Sequence, residues 1–186
     1  MSGMSCGVWI SFEEFPEWWM LPVMKVSMIA ACDENRLIGS AEGIPWQLPR
    51  DTEHFRSYTQ GKAMLVGRRT FGEMEGWFTT QRPIVLSSNQ DFDGGCFSVA
   101  PDLEAALGLA RSRGEDELVV SGGAQVYELA MPVADELLIT EVHAIFAGCA
   151  YFPAISPECW FEIKRERFEA DEENPHAMSF VYYQRR

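Results

Sequence analysis

Apolar side chains cluster into short runs rich in Val, Ile and Leu at 25–31, 63–66, 84–87, 97–99, 118–120 and 137–142, and each run predicts a strand. Between several of them the pattern turns helical, over 51–59, 70–74, 102–113 and 124–131. Strands alternating with helices predict an α/β fold built on a doubly wound, mostly parallel sheet with helices on both faces. The tail departs from this rhythm. Residues 160–168 and 178–184 alternate apolar and polar side chains around the acidic, turn-prone Asp171-Glu172-Glu173-Asn174-Pro175. That pattern predicts a C-terminal hairpin, which adds an antiparallel edge and brings the sheet to eight strands.

Composition narrows the class. With 186 residues, 47% of them apolar, the chain has material for one domain with a full core. A formal net charge of −13 argues against a nucleic-acid or anionic-membrane partner, because a surface for phosphate backbones is basic overall. Cys6, Cys32, Cys96, Cys149 and Cys159 are odd in number and form no C-x-x-C pair, so neither a disulfide framework nor a metal site is expected and a reducing cytoplasm fits best. A monomer is expected. Residues 1–23 stand apart, since they hold Trp9, Trp18 and Trp19 with Glu13, Glu14 and Glu17 but no Lys or Arg. They match neither a secretory signal nor a membrane span. The expectation is a poorly ordered extension, or an upstream start with translation beginning at Met24; the alternative is an aromatic segment packed on the domain or on a partner. The folded domain is then 24–186.

In an open sheet of this kind ligands bind beyond the carboxyl ends of the strands. Gly67-Arg68-Arg69-Thr70, Ser87-Ser88-Asn89 and Gly122-Gly123-Ala124 each follow a predicted strand. Glycines let a backbone approach a phosphate, helix N-terminal N–H groups point at it, and Arg68 or Arg69 with Ser88 suits a terminal phosphate monoester. Each pattern alone is commonplace. Together they point to a dinucleotide carrying an extra phosphate, although the G-x-G-x-x-G fingerprint is absent.

The densest chemistry lies in Ile44-Pro45-Trp46-Gln47-Leu48-Pro49-Arg50-Asp51, with Phe55 four residues after the acid. Pro49 sits where a helix can start, which places Asp51 in the first turn and Phe55 directly above it. An acid, an indole and a phenyl ring converge on a small apolar pocket suited to a planar heterocycle with N–H donors. In isolation, Asp51 would merely complement a helix N-terminus, worth up to about 1 kcal/mol.

The longer run Pro45-Trp46-Gln47-Leu48-Pro49-Arg50-Asp51-Thr52-Glu53-His54-Phe55 resembles the P-W-x-L-P-x-D-x-x-x-F signature of dihydrofolate reductases. Its surroundings agree: Val26-Ser27-Met28-Ile29-Ala30-Ala31, Ile38-Gly39, Gly67-Arg68-Arg69-Thr70-Phe71, Ser121-Gly122-Gly123-Ala124-Gln125-Val126-Tyr127, Tyr151-Phe152-Pro153 and Phe180-Val181-Tyr182-Tyr183. The resemblance covers residues 24–186 and implies NADPH-dependent reduction of 7,8-dihydrofolate to tetrahydrofolate, with hydride delivered to C6 and a proton to N5, in support of one-carbon metabolism. It implies catalytic roles for Asp51, Trp46, Tyr127 and Thr140. Asp51 pairs with the pterin amino and ring N–H groups, its pKa raised by burial against Phe55 and Ile29 and lowered by the helix N-terminus and Thr140. Ile29, Ala31, Ile44, Phe55, Met74, Phe78, Arg82, Ser121 and Thr140 complete the substrate site, with the Ile29 and Ser121 carbonyls as acceptors. NADPH falls to Ala31, Ile38, Gly39, Gly67, Arg68, Arg69, Thr70, Leu86, Ser87, Ser88, Gly122, Gly123, Ala124, Gln125, Val126 and Tyr127. Residues 33–48, with Gly39 and Gly43, suit a lid.

Several positions depart from the family pattern. The usual Leu-Pro-x-Arg that grips the folate glutamate is altered to Phe78-Thr79-Thr80-Gln81-Arg82-Pro83, with Arg82 taken as the counterpart. Cys149 stands where an Asp commonly helps hold the lid, Ser121 replaces a branched apolar residue, and Thr52 an apolar one. Two other readings remain open at this point: a pyrimidine reductase of riboflavin synthesis, which shares the fold and NADPH, and a degenerate reductase that only binds nucleotide, RNA or a protein partner.

Overall fold

The computed structural model describes residues 24–186 apart from Glu75 and Gln90, so the expectations for residues 1–23 lie outside it. In chain order the elements are β1 (Lys25–Asp33), β2 (Leu37–Gly39), α1 (Pro49–Thr59), β3 (Ala63–Gly67), α2 (Arg68–Glu73), β4 (Arg82–Leu86), β5 (Ser98–Ala100), α3 (Leu103–Ser112), β6 (Glu117–Val120), α4 (Ala124–Ala130), β7 (Glu136–Val142), β8 (Ala150–Tyr151), β9 (Trp160–Phe168) and β10 (Met178–Arg185). Eight strands form one sheet in the order β5-β4-β3-β6-β1-β7-β10-β9. Pairing is parallel from β5 through β7, and β10 runs antiparallel to both β7 and β9.

Side-chain alternation explains why the sheet is covered on both sides. On one face Met28, Ala30, Leu118, Val120 and Ile139 pack with Ala106, Ala110, Val126 and Ala130 of α3 and α4. On the other, Ile29, Met64, Val66, Val119 and Leu138 pack with Phe55 of α1, Phe71 of α2, and Met74 and Phe78 beyond it. Inner strands buried on both faces read as unbroken apolar runs, and that is how β3, β6 and β7 appear in the sequence. The hairpin arm β9 is exposed from Phe161 to Arg167 and defends its free edge with alternating Glu, Lys and Arg.

Element bounds differ from the pattern in small ways with physical causes. Helix α1 begins at Pro49, two residues before the apolar spacing starts, because proline is at ease where the helix N–H is unpaired anyway. Helix α2 opens at Arg68 directly against β3, and β5 lies one residue later than expected. The two-stranded pairing of β2 with β8 has no counterpart among the predicted elements. Strands of three and two residues are too short to carry a period.

Candidate active site

Asp51 owes its position to the loop before it. Trp46 and Leu48 are buried in a cluster with Val142, Met178 and Phe180, and the Trp46 ring lies 5.2 Å from that of Phe146. This anchor delivers Pro49 to the first turn of α1, where the Thr52 N–H bonds the Leu48 carbonyl at 3.0 Å. Asp51 in that turn is lifted above the usual carboxylate range by burial, and hydrogen bonding to Thr140 pulls it partly back. Thr140 is itself buried on β7, beside Ala31 in the β1 register, while Ile29 pairs with Leu138 two residues earlier. One carboxyl group therefore stands at the polar end of an apolar floor made by Ile29, Phe55, Met74 and Phe78.

Across β1 from Thr140, the turn after β6 forms a tight cradle. The Gly67 N–H bonds the Gly122 carbonyl at 2.7 Å, tying the ends of β3 and β6 together. A Cβ on Gly122, whose φ is +104°, would meet the Tyr127 ring at 3.1 Å; one on Gly67 would meet Val126 at 3.0 Å, and one on Gly123 the Thr70 hydroxyl at 3.2 Å. A side chain at any of the three would crowd its neighbour, and at Gly122 the positive φ adds strain. The Tyr127 hydroxyl donates to the Ile29 carbonyl at 2.7 Å, and burial holds its pKa far above the ordinary phenol value, so it stays protonated.

The cradle opens toward polar groups at neighbouring strand ends. Arg68 and Arg69 are exposed at the start of α2, and neither has an ion-pair partner among the described residues. Ser88 is exposed beyond β4, whereas Ser87 is buried and accepts from the Asn89 N–H at 3.2 Å. Ala124 is half-buried and Gln125 exposed, but Val126 is core. Since α2 and α4 have only six and seven residues, their dipoles are small, so an anion here would depend on the glycine backbone and the two arginines.

The lid segment is pinned at its base. Both oxygens of the buried Asp33 are used: Oδ1 accepts from the Asn35 and Leu37 N–H groups at 2.8 Å each, and Oδ2 from Phe146 N–H at 2.9 Å. Ile38 and Gly39 are half-buried where β2 meets β8. The tip is freer, with Gly43 at φ +104° and Ile44 65% exposed beside an open cavity of about 540 Å³ that Ala147 also lines.

A family model described as dihydrofolate reductase matches residues 25–185. The chain belongs to the dihydrofolate reductase family. It is 40% identical over 165 residues to a dihydrofolate reductase of Neisseria meningitidis serogroup A, covering 88% of this chain and 99% of that one. To the enzyme of Bacillus subtilis it is 34% identical over 161 residues, covering 87% and 95%. A solved dihydrofolate reductase from Enterococcus faecalis, complexed with NADP(H) and RAB-propyl, superposes with a TM-score of 0.79 at 31% identity, covering 87% of this chain and 96% of that one.

Within this dihydrofolate reductase framework one expected site residue already has an ion-pair partner. Arg82 begins β4, at the amino end of a parallel strand, and its guanidinium makes a two-pronged pair with Glu115 while its N–H bonds the Lys62 carbonyl. In this structure the Arg82 guanidinium is engaged by Glu115. Gln81 is half-buried and turns inward, its side-chain oxygen accepting from the Thr79 and Thr80 N–H groups. A second cation near the apolar floor is Arg56, whose guanidinium lies 4.3 Å from the Trp77 ring centre, with Trp77 edge-on to Phe55. Arg56 follows Phe55 directly in the motif, so adjacency was the available signal.

Cys149 and Asp33 also acquire a structural setting. Cys149 is exposed, and its backbone N–H bonds the Gly39 carbonyl at 3.1 Å, so the main chain ties this segment to β2 without a carboxylate. Asp33, which the motif reading placed only at the boundary of the lid, is the carboxylate that joins both loops. Its Asp-x-Asn spacing is an Asx-turn signal.

Proposed function

We propose that this chain reduces 7,8-dihydrofolate to 5,6,7,8-tetrahydrofolate with NADPH, and that the buried carboxyl of Asp51 at the polar end of an apolar cleft carries the reaction. The residues fit the cofactor: Gly67, Gly122 and Gly123 leave space that a Cβ would fill, and Arg68, Arg69 and Ser88 are available to a phosphate monoester. NADPH supplies the hydride for C6 when bound.

The protein does the rest by position. Asp51 accepts from the pterin amino and ring N–H groups, orients the ring, and raises the basicity of N5. It contacts the amino side of the ring, so the proton for N5 arrives through water admitted past the lid. Trp46 anchors the lid and walls one side of the cleft. Thr140 holds Asp51, and Ile29, Ala31, Met74 and Phe78 exclude water from the reacting edge. Thr70 flanks the nicotinamide from beside Gly123, and Tyr127 supports it from beneath by fixing Gly122 against β1. Ile38, Gly39, Leu86, Ser87, Ala124, Gln125 and Val126 complete the cofactor wall, Val126 through its backbone. Arg56, steadied on Trp77, takes the carboxylate of the substrate tail.

A monomer in the cytoplasm is part of this reading. Cys32, Cys96, Cys149 and Cys159 are free thiols, as a reducing compartment keeps them, and among the described residues no helix is long and apolar enough to cross a membrane.

The test is loss of NADPH absorbance on adding dihydrofolate, with the full chain and with a form starting at Met24. Rapid oxidation by both is expected. NADPH bound without oxidation would overturn the proposal in favour of a pyrimidine substrate or a binding role.

A further inference from the structure

Among the described residues the buried hydroxyls are accounted for, with one exception. Ser27 Oγ donates to Glu117 at 2.6 Å, Thr59 Oγ1 to the Phe55 carbonyl at 2.8 Å, Ser179 Oγ meets His143 Nε2 at 2.8 Å, and Ser87 Oγ accepts from Asn89. Ser121 Oγ, on a residue only 7% exposed, has no partner among the described residues. Orphan polar atoms of this kind are rare in native proteins, and a partner supplied by a ligand is one of the few conditions that keeps them.

Strand geometry says which way this hydroxyl faces. The Ser121 N–H bonds the Leu65 carbonyl at 2.9 Å, so the ladder of β6 runs on through it. Alternation then sends Ser121 to the same face as Val119, the face that carries Ile29, Phe55 and Met74. Pairing of Met28 with Val120 sets Ser121 alongside Ile29, one strand away from β7, where Thr140 holds Asp51. The two polar groups thus bracket the apolar floor, Asp51 over β7 and Ser121 at the end of β6. Rotation about χ1 is the whole movement needed to turn the hydroxyl to a ligand.

We infer that Ser121 is a specificity-determining residue for the substrate: its hydroxyl oxygen accepts the N8–H of the dihydropterin, on the ring edge that crosses β1 away from Asp51. This rests on the dihydrofolate reductase reading. It extends that reading to a side-chain contact that an aliphatic residue at this position lacks. The contact holds the ring in one of its two orientations about the axis through Asp51, because only one of them turns N8–H toward β6.

Ser121→Ala and Ser121→Thr test it. Dihydrofolate affinity is read by quenching of tryptophan fluorescence, alongside KM, kcat, NADPH affinity and thermal melting. Ser121→Ala is expected to weaken dihydrofolate about five- to tenfold in both affinity and KM. Its melting temperature should stay level or rise, with NADPH affinity held within about twofold. Ser121→Thr, which keeps the hydroxyl, should restore most of the binding. Unchanged dihydrofolate affinity in Ser121→Ala would overturn the inference, as would a loss confined to NADPH or a fall in melting temperature without a binding defect. Failure of the wild-type chain to oxidise NADPH with dihydrofolate would instead count against the parent reading.

Discussion

The Tyr127 hydroxyl donates to the Ile29 carbonyl across 2.7 Å, fastening α4 to the central strand at the point where the cleft floor and the glycine cradle meet. The bond is fully buried, and burial pushes the phenol pKa up, so Tyr127 is expected to work by placement rather than by moving a proton. Tyr127→Phe should cost about 1–2 kcal/mol, because it removes a buried donor and leaves the carbonyl short of a partner. A fall in melting temperature of roughly 2–8 °C is the corresponding thermal readout. The pH profile of kcat/KM between pH 5 and 9 should keep its shape; a lost ionisation there would mean Tyr127 titrates in turnover.

Asp51→Asn keeps the shape of the site and removes its charge. At neutral pH kcat/KM for dihydrofolate should drop by at least about a hundredfold, recovering as pH falls and substrate arrives already protonated. Stability should move the other way. Burial raises this carboxyl in the folded state, so the stability carried by its protonated form is complete below the unfolded value near 3.8 and is lost as pH rises through the folded value. The variant should therefore melt above wild type at pH 7, with the gap closing toward pH 4. A near wild-type rate at pH 7, or a lower melting point there, would contradict this account.

Replacing Arg68 and Arg69 together with Ala should weaken NADPH by an order of magnitude or more while leaving NADH nearly unchanged, because only NADPH carries the additional phosphate monoester. Titration of both cofactors into the same preparation decides it. Equal losses would assign these arginines elsewhere.

The two remaining arginines separate position from type. Arg56→Ala should raise KM for dihydrofolate about three- to tenfold with kcat unchanged, the mark of binding energy shared by ground and transition states. Arg82→Ala should leave KM alone and cost at most about 1 kcal/mol of stability through loss of the exposed Glu115 pair. A reversal of these KM effects would return Arg82 to the cleft.

Much of the fold could be read directly. The inner strands announce themselves as apolar runs because both of their faces are covered, and the hairpin does so by alternation around an acidic turn. The pairing of β2 with β8 could not be read, since so few residues carry no period. The placement of Asp51 in the first turn of α1, with Phe55 one turn on, was legible because one short loop and helical spacing set it locally. Arg82 shows the limit of motif spacing, which gives its distance along the chain but not that its guanidinium meets Glu115. Ser121 was visible as a departure, yet nothing in the sequence says that its hydroxyl lacks a partner.

Sequence by itself determined the alternation of strands and helices, the acid at the start of α1, and the glycine and arginine runs after successive strands, because these depend on propensities and spacings within a few residues. Only the tertiary structure decided that Arg82 pairs with Glu115, that Asp33 joins the two loops, that Tyr127 is fastened to Ile29, and that the Ser121 hydroxyl has no partner among the described residues. Those facts depend on strand order and register, which bring together groups as far apart in the chain as Ile29 and Tyr127, and on burial, which sets what each polar atom can bond.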